Sequence, residues 1–227
     1  MGRVPVPTNV YVDGFNLYNG MFKRGRSPST LKWVDPALLA MTVWPQFPVI
    51  QRVRYFTALV KPTVADPQNL VRQQIYLRAL IANGVDVHYG QFKLRSKNWY
   101  LNTVLAQRPP ATGAGVVAFT VKIAKYDEKG SDVTLASYLV RDAALHDCTD
   151  AIVISNDSDL SEAVNIVRKD FGLAVYVVNP HTRAVGELRQ VATDLRNLAP
   201  SALQKSQLPP TVTEANGTNL TKPPAWV

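Results

Sequence analysis

The chain has 227 residues, 46% of them hydrophobic and 19% charged, with a formal net charge of +8. That length suits one α/β domain with a real core; no apolar run approaches the roughly 20 residues of a membrane span; and the basic balance is compatible with a polyanionic partner without requiring one. Cys148 is the one cysteine, which excludes an intramolecular disulfide or a thiolate metal cluster and points to a reducing cytoplasm.

The start, "MGRVPVPTNVYVDGFN", lacks the apolar core of a signal peptide, because Pro5 and Pro7 interrupt it. "NVYVD" (9–13) reads as the first buried strand. Residues 28–50 then read as an inserted helical segment, and "RVRYFTALV" (52–60) as the next strand. A helix follows from the cap pair Asp66-Pro67 to Asn83-Gly84. Its stripe is Leu70, Gln74, Leu77 and Ile81, with Val71 and Ile75 beside it. "VDVHYGQF" (85–92) is a third strand. Residues 93–120 are a second insertion, basic and aromatic at first, then Pro/Gly-rich; "RPPATGAG" within it reads as an exposed, mobile loop.

"SDVTLASYLVRDAALHD" predicts a helix with Val133, Ala136, Leu139, Val140 and Ala143 on one face. After the strand "AIVIS" (151–155), "SDLSEAVNIVRKDFG" predicts another, burying Leu160, Ala163, Val164 and Val167. "AVYVVN" (174–179) is a fifth strand and "VGELRQVATDLRNL" (185–198) a last amphipathic helix. From Pro200 the chain has five prolines and little apolar patterning, which predicts a disordered tail over 200–227. The expectation is one domain over 1–199, with a parallel sheet of about five strands and helices on both faces.

Acids gather where strands end. Asp13 closes the first strand, Asp157 and Asp159 follow "AIVIS", and Asp132 opens the helix at 131. In a parallel sheet all carboxyl ends share one edge, and ligands bind there where the strand order reverses. If 9–13 and 151–155 are neighbours at that point, these carboxylates converge. Their mutual repulsion is relieved by a hard divalent cation, Mg²⁺ or Mn²⁺. Asn16 is either a helix cap or a group that orients a carboxylate, water or phosphate. Ser155 either terminates its strand or positions water or phosphate. Lys129 either counters this charge or is a solvated loop lysine. The helix starting near Ser131 offers backbone N–H groups to a phosphate.

"VYVDGFNLYNG", "KGSDVTLASYLVRDA" and "AIVISNDSDLSEAV" resemble the three signature blocks of NYN domains, within the PIN-like nuclease superfamily, and most nearly its LabA-like branch. The resemblance implies a Rossmann-like sheet, a carboxylate cluster binding Mg²⁺ or Mn²⁺, and ribonuclease activity. Its acidic positions fall on Asp13, Asp132, Asp157 and Asp159, with Asn16 beside the first. One departure is Asn156, where the third block often has glycine. Phosphodiester hydrolysis with one or two metal ions fits this set, with Asp13 and Asp157 as first-choice ligands.

The stretch "QFKLRSKNWY" offers a track for single-stranded RNA. Lys93, Arg95 and Lys97 alternate along it, Trp99 and Tyr100 follow, and Lys122, Lys125 and Lys129 extend it; the alternative is an ordinary solvated hairpin. His88, His146 and His181 show no metal-ligand spacing and read as structural. "NGT" at 216–218 matches a glycosylation acceptor that a cytoplasmic chain leaves bare. Two other functions compete with the ribonuclease: a non-catalytic RNA-binding module and a metal-dependent phosphatase. A pure binder of a polyanion gains nothing from four clustered acids, which favours the enzyme.

Overall fold

Burial with a period of two makes the first strand. Val10 and Val12 enter one core, Tyr11 enters the other, and all three are fully buried. This is β1 (Thr8–Asp13) of a computed structural model that describes residues 7–23, 25–101 and 119–227, over 93–101 and 119–127 as backbone only. Next come β2 (Ile50–Thr57) and β3 (Asp86–Tyr89), then an antiparallel hairpin of β4 (Gln91–Leu101) and β5 (Phe119–Lys129). After it lie β6 (Asp150–Ile154), β7 (Ala174–Asn179) and β8 (Asp194–Asn197). The main sheet has the order β3-β2-β1-β6-β7-β8, parallel throughout. The order reverses between β1 and β6, so the crevice of a Rossmann-like sheet opens at the carboxyl ends of those two strands.

Helices cover both faces, as expected. On one side lie α1 (Gly14–Met21), α2 (Pro36–Val43) and α3 (Asn69–Ala82). On the other lie α4 (Ser131–Ala144), α5 (Ser161–Lys169) and α6 (Gly186–Val191). The insertion at 28–50 contributes α2, capped by Asp35 Oδ1, which accepts from the Ala37 and Leu38 N–H groups at 2.9 and 3.1 Å, with Pro36 in the first turn. Four expectations need correction. The strand read as 85–92 breaks at Gly90, whose N–H donates to Thr57 O at 2.7 Å. Asp66 does not cap α3; it pairs with Arg72, and the helix buries Tyr76, Leu77, Ala79 and Leu80 while Val71 and Ile81 are about half exposed. Val133 of α4 is exposed, and Leu135 and Asp142 are buried instead. The segment 185–198 is α6 followed by a sixth strand, because the free edge of β7 offers ladder bonds that a helix there would forgo.

Asp142 explains its own burial. It accepts from Arg54 Nε at 2.9 Å and Nη2 at 3.2 Å, from the Tyr11 hydroxyl at 2.9 Å and from Arg141 at 2.9 Å. Arg54 lies 4.5 Å from the Tyr138 ring centre. Asp142→Ala should cost about 3–5 kcal/mol, since it leaves a buried guanidinium with Asp86 alone, at 3.4 Å. Urea denaturation checks this, and Asp142→Leu combined with Arg54→Met should recover much of the loss.

The segment 200–227 is ordered, contrary to the expected tail. It forms α7 (Pro200–Lys205), the hairpin β9 (Thr211–Thr213) and β10 (Asn219–Thr221), and a final turn at Pro224–Trp226. Leu203, Leu208, Val212, Leu220 and Trp226 are all buried in the core of α1 to α3. The Trp33 indole donates to Pro209 O at 2.7 Å, Leu208 N–H donates to Trp33 O at 2.9 Å, and the Trp226 ring packs on Trp33 and Tyr76. Isolated apolar residues docked singly on the 28–50 segment and on α3 carry this packing, which is why it leaves no periodic pattern.

Candidate functional site

Asp13 is the last residue of β1 and caps α1. Its Oδ1 accepts from the Asn16 N–H at 2.9 Å, and its Oδ2 accepts from the Ser155 hydroxyl at 3.0 Å. Ser155 Oγ in turn accepts from the Asp157 N–H at 3.1 Å, and Asp157 Oδ1 accepts from the Asp159 N–H at 3.1 Å. One chain of hydrogen bonds therefore ties the end of β1 to the loop after β6. Asn16 joins it from the other side: its Oδ1 accepts from the Asn156 N–H at 2.9 Å. Asn16 is thus no helix cap, and it fixes the loop that carries Asp157. Asn156 holds the next loop as well, donating to Arg183 O at 3.0 Å and accepting from Val185 N–H at 2.8 Å. The departure from glycine at this position is a side-chain brace.

Asp132, Asp157 and Asp159 converge, each offering a carboxylate oxygen within 4.8 Å of the others. Asp13 is outside this tight group. It lines the same cleft of about 220 Å³, together with Asn16, Glu128, Ser131, Asp132, Asp157 and His181. Burial pushes the Asp13 carboxyl up to about 6; its hydrogen bonds from Asn16 and Ser155 pull it down, and the charges of Asp157 and Glu128 push it up further. The converging donor set is all carboxylate oxygen with no soft ligand, which fits a hard divalent cation. Burial holds Asp13 above its ordinary range and the charges of Asp157 and Glu128 add to the rise; a cation in the cleft would offset that added repulsion.

Two ionisable residues of the cleft were not foreseen there: Glu128, and His181, which the sequence suggested was structural. Glu128, at the end of β5, accepts the Ser131 N–H at 3.1 Å and so caps α4 from outside. Gly90 makes room for it, since a Cβ there would lie 2.5 Å from Glu128 Oε1. His181 follows β7 and reaches the cleft beside Asp157. Gly20 permits the approach of α1 to this loop, because a Cβ would meet Pro180 O at 2.6 Å. A carboxyl-edge position was the available signal for His181; for Glu128 there was only a helix start three residues on.

At the start of α4, where a phosphate site was expected, two of the N–H groups are already taken by side chains of the chain itself. The Ser131 N–H goes to Glu128, and the Val133 N–H goes to Asp132 Oδ1 at 2.9 Å. Lys129 is exposed and does not line the cleft. Lys93, Arg95, Lys97, Trp99, Lys122 and Lys125 have side chains outside the described residues; the hairpin register sets Arg95 opposite Lys125 and Lys93 opposite Asp127.

The raised Asp13 predicts a stability signature. Its folded-state value of about 6 lies above the ordinary 3.8, so the folded state binds this proton more tightly than the unfolded one. The charged carboxylate then costs about 3 kcal/mol at pH 7, and the cost fades as pH falls from about 6 towards 4. Asp13→Asn loses one accepted hydrogen bond but should still gain about 1–2 kcal/mol at pH 7 in EDTA. Urea midpoints at pH 7 and pH 5 check it: the gap between variant and wild type should narrow at the lower pH.

A family model for the NYN domain matches residues 7–199. The chain is 25% identical over 213 residues to 6-hydroxy-3-succinoylpyridine 3-monooxygenase HspA of Pseudomonas putida (strain DSM 28022 / S16). That match covers 86% of this chain and 65% of the relative, so the chain spans a little under two thirds of the relative's length. Among solved structures, a protein of unknown function, VPA0982, from Vibrio parahaemolyticus RIMD 2210633 shares the fold with a TM-score of 0.50 at 13% identity. It covers 92% of this chain and 99% of its own. No helix among the described residues is long and apolar enough to cross a membrane.

Proposed function

This chain belongs to the NYN domain family of PIN-like nucleases, and from that premise we propose that it is a metal-dependent ribonuclease of the LabA-like branch, cutting single-stranded RNA in the cytoplasm. The observation that carries the reading is the convergence of Asp132, Asp157 and Asp159 beside Asp13 at the switch point of the sheet. Asp132, Asp157 and Asp159 would hold Mg²⁺ or Mn²⁺, which when bound offsets phosphate charge and makes water a better nucleophile.

The rest is done by the chain. Asp13 is braced by Asn16 and Ser155 with lone pairs left over, and its raised affinity for protons suits it to take one from water at near-neutral pH. Ser155 couples Asp13 to the Asp157 backbone, so the two carboxylates keep their spacing. Asn16 keeps the acidic loop against α1. Lys93, Arg95, Lys97, Trp99, Lys122, Lys125 and Lys129 make up the RNA track in this reading.

The test is pure protein with labelled single-stranded RNA or DNA, in Mn²⁺, Mg²⁺ or EDTA. Cleavage of RNA that needs the metal supports the reading. Tight RNA binding with no turnover in any metal retires it in favour of a non-catalytic module. The likeness to a pyridine monooxygenase supports one other reading, oxidation of a hydroxypyridine acid, which predicts oxygen uptake with that class of substrate and an added two-electron reductant.

A further inference from the structure

A second cavity, of about 570 Å³, opens from the acidic cleft. The two share Phe15, Asn19 and Glu128 at their junction. Its size lies in the range of small-molecule sites, whereas the cleft alone is smaller than that range. Tyr18, Phe22, Tyr76 and Trp226 supply aromatic walls, and Phe15 meets Phe92 edge to face at the mouth, with ring centres 5.7 Å apart. Trp226 comes from the segment beyond the family match, so this chain closes the cavity with residues of its own.

Three cations line it. Arg72 is neutralised by Asp66. Lys23 and Lys32 have no carboxylate partner among the described residues. Lys32 Nζ sits 5.2 Å from the Tyr18 ring centre and 5.9 Å from that of Trp226. A positive charge is thus held over π faces with no anion to meet it. Hydrogen-bonding capacity is also left open. The Asn19 amide bonds to no other described residue, while Asn69 donates from Nδ2 to Lys61 O and its Oδ1 is closed off from the cavity. Gln73, by contrast, is spent on Val60 N–H and Ala58 O. A hydrocarbon ligand would leave the ammonium groups and the Asn19 amide unmatched; a bare anion would leave the rings unused.

We propose that this cavity binds a planar heteroaromatic ring carrying an anionic group. Resting on the ribonuclease reading, the ring is the base of the nucleotide next to the phosphate that is cut. A free heteroaromatic acid has the same chemistry and is the other source.

Calorimetric titration of the full chain in EDTA tests this, with uridine and adenosine 5′-monophosphate, nicotinate, and ribose 5-phosphate as the anion without a ring. Ring-bearing anions should bind about tenfold or more tighter than ribose 5-phosphate, and Tyr18→Ala and Lys32→Gln should each weaken them by about tenfold. Tyr18 is 45% exposed, so its variant should fold; Lys23→Gln, at an exposed position, is the second charge variant. Binding of nucleotides but not nicotinate supports the RNA source. Binding of nicotinate but not nucleotides overturns that source. No preference over ribose 5-phosphate, or unchanged binding in all three variants, overturns the site. No cleavage is scored here, so a failed RNA assay with intact ring binding removes the ribonuclease reading alone.

Discussion

Deleting residues 200–227 should leave a chain that does not fold cooperatively. The segment buries Leu203, Leu208, Val212, Leu220 and Trp226, each worth about 1.5–3 kcal/mol. Their sum rivals the roughly 5–15 kcal/mol that holds a whole domain together. The deletion also uncovers Trp33 and Tyr76, and removes the acceptor of the Trp33 indole. Trp226→Ala is the gentler version, with an expected loss of about 3–5 kcal/mol. Circular dichroism melts of both variants check it. A truncated protein that melts within a few degrees of wild type would show that the contacts of 200–227 contribute nothing to stability. The family match ends at residue 199, so the expected result also means that the folding unit extends past the family domain.

The same segment marks a limit of what the sequence discloses. Strands β1, β2, β6 and β7 and helices α4 and α5 were legible as elements because burial on a sheet or on one helix face repeats with a fixed period. The pairing of β1 with β6 was only a condition on which the strand-end acids would converge, and the sheet meets it. Residues 200–227 bury single side chains between prolines and turns, and such packing carries no period. Strand β8 was missed for a related reason. "ELRQVATDLRNL" satisfies a helix locally, and only the presence of the β7 edge makes pairing better for its second half. Within the cleft, the placing of acids at the strand ends was legible and their grouping was not. Asp13 and Asp157 flank the crevice, as their strand positions imply. The tight group nevertheless unites Asp157 with Asp159 and with Asp132 from α4, because the 3-10 turn at Ser158–Leu160 and the cap of Glu128 on α4 set where those carboxylates lie. Asn16 and Ser155, each read two ways, serve as braces between the two strand ends.

That grouping separates the roles of two aspartates by experiment. Asp157→Asn should abolish the rise in melting temperature that Mn²⁺ gives the wild type, and with it RNA cleavage, since one of three converging carboxylates is gone. Where Mn²⁺ stands at about 100 times its dissociation constant, the wild-type stabilisation is about 2.7 kcal/mol, readily seen in a melt. Asp13→Asn should behave differently. It keeps the group of Asp132, Asp157 and Asp159 intact, so most of the Mn²⁺-induced shift should remain. Cleavage should still fall by about 10²-fold or more, the loss expected when a positioned general base is removed. RNA affinity in EDTA should hold or rise in both variants, because each loses a negative charge facing phosphate. If Asp13→Asn loses the Mn²⁺ shift as fully as Asp157→Asn does, Asp13 is itself a ligand and the proton-accepting role proposed for it falls. If Asp157→Asn keeps both the shift and cleavage, the convergent group is not the metal site, and the strand-end crevice needs another explanation.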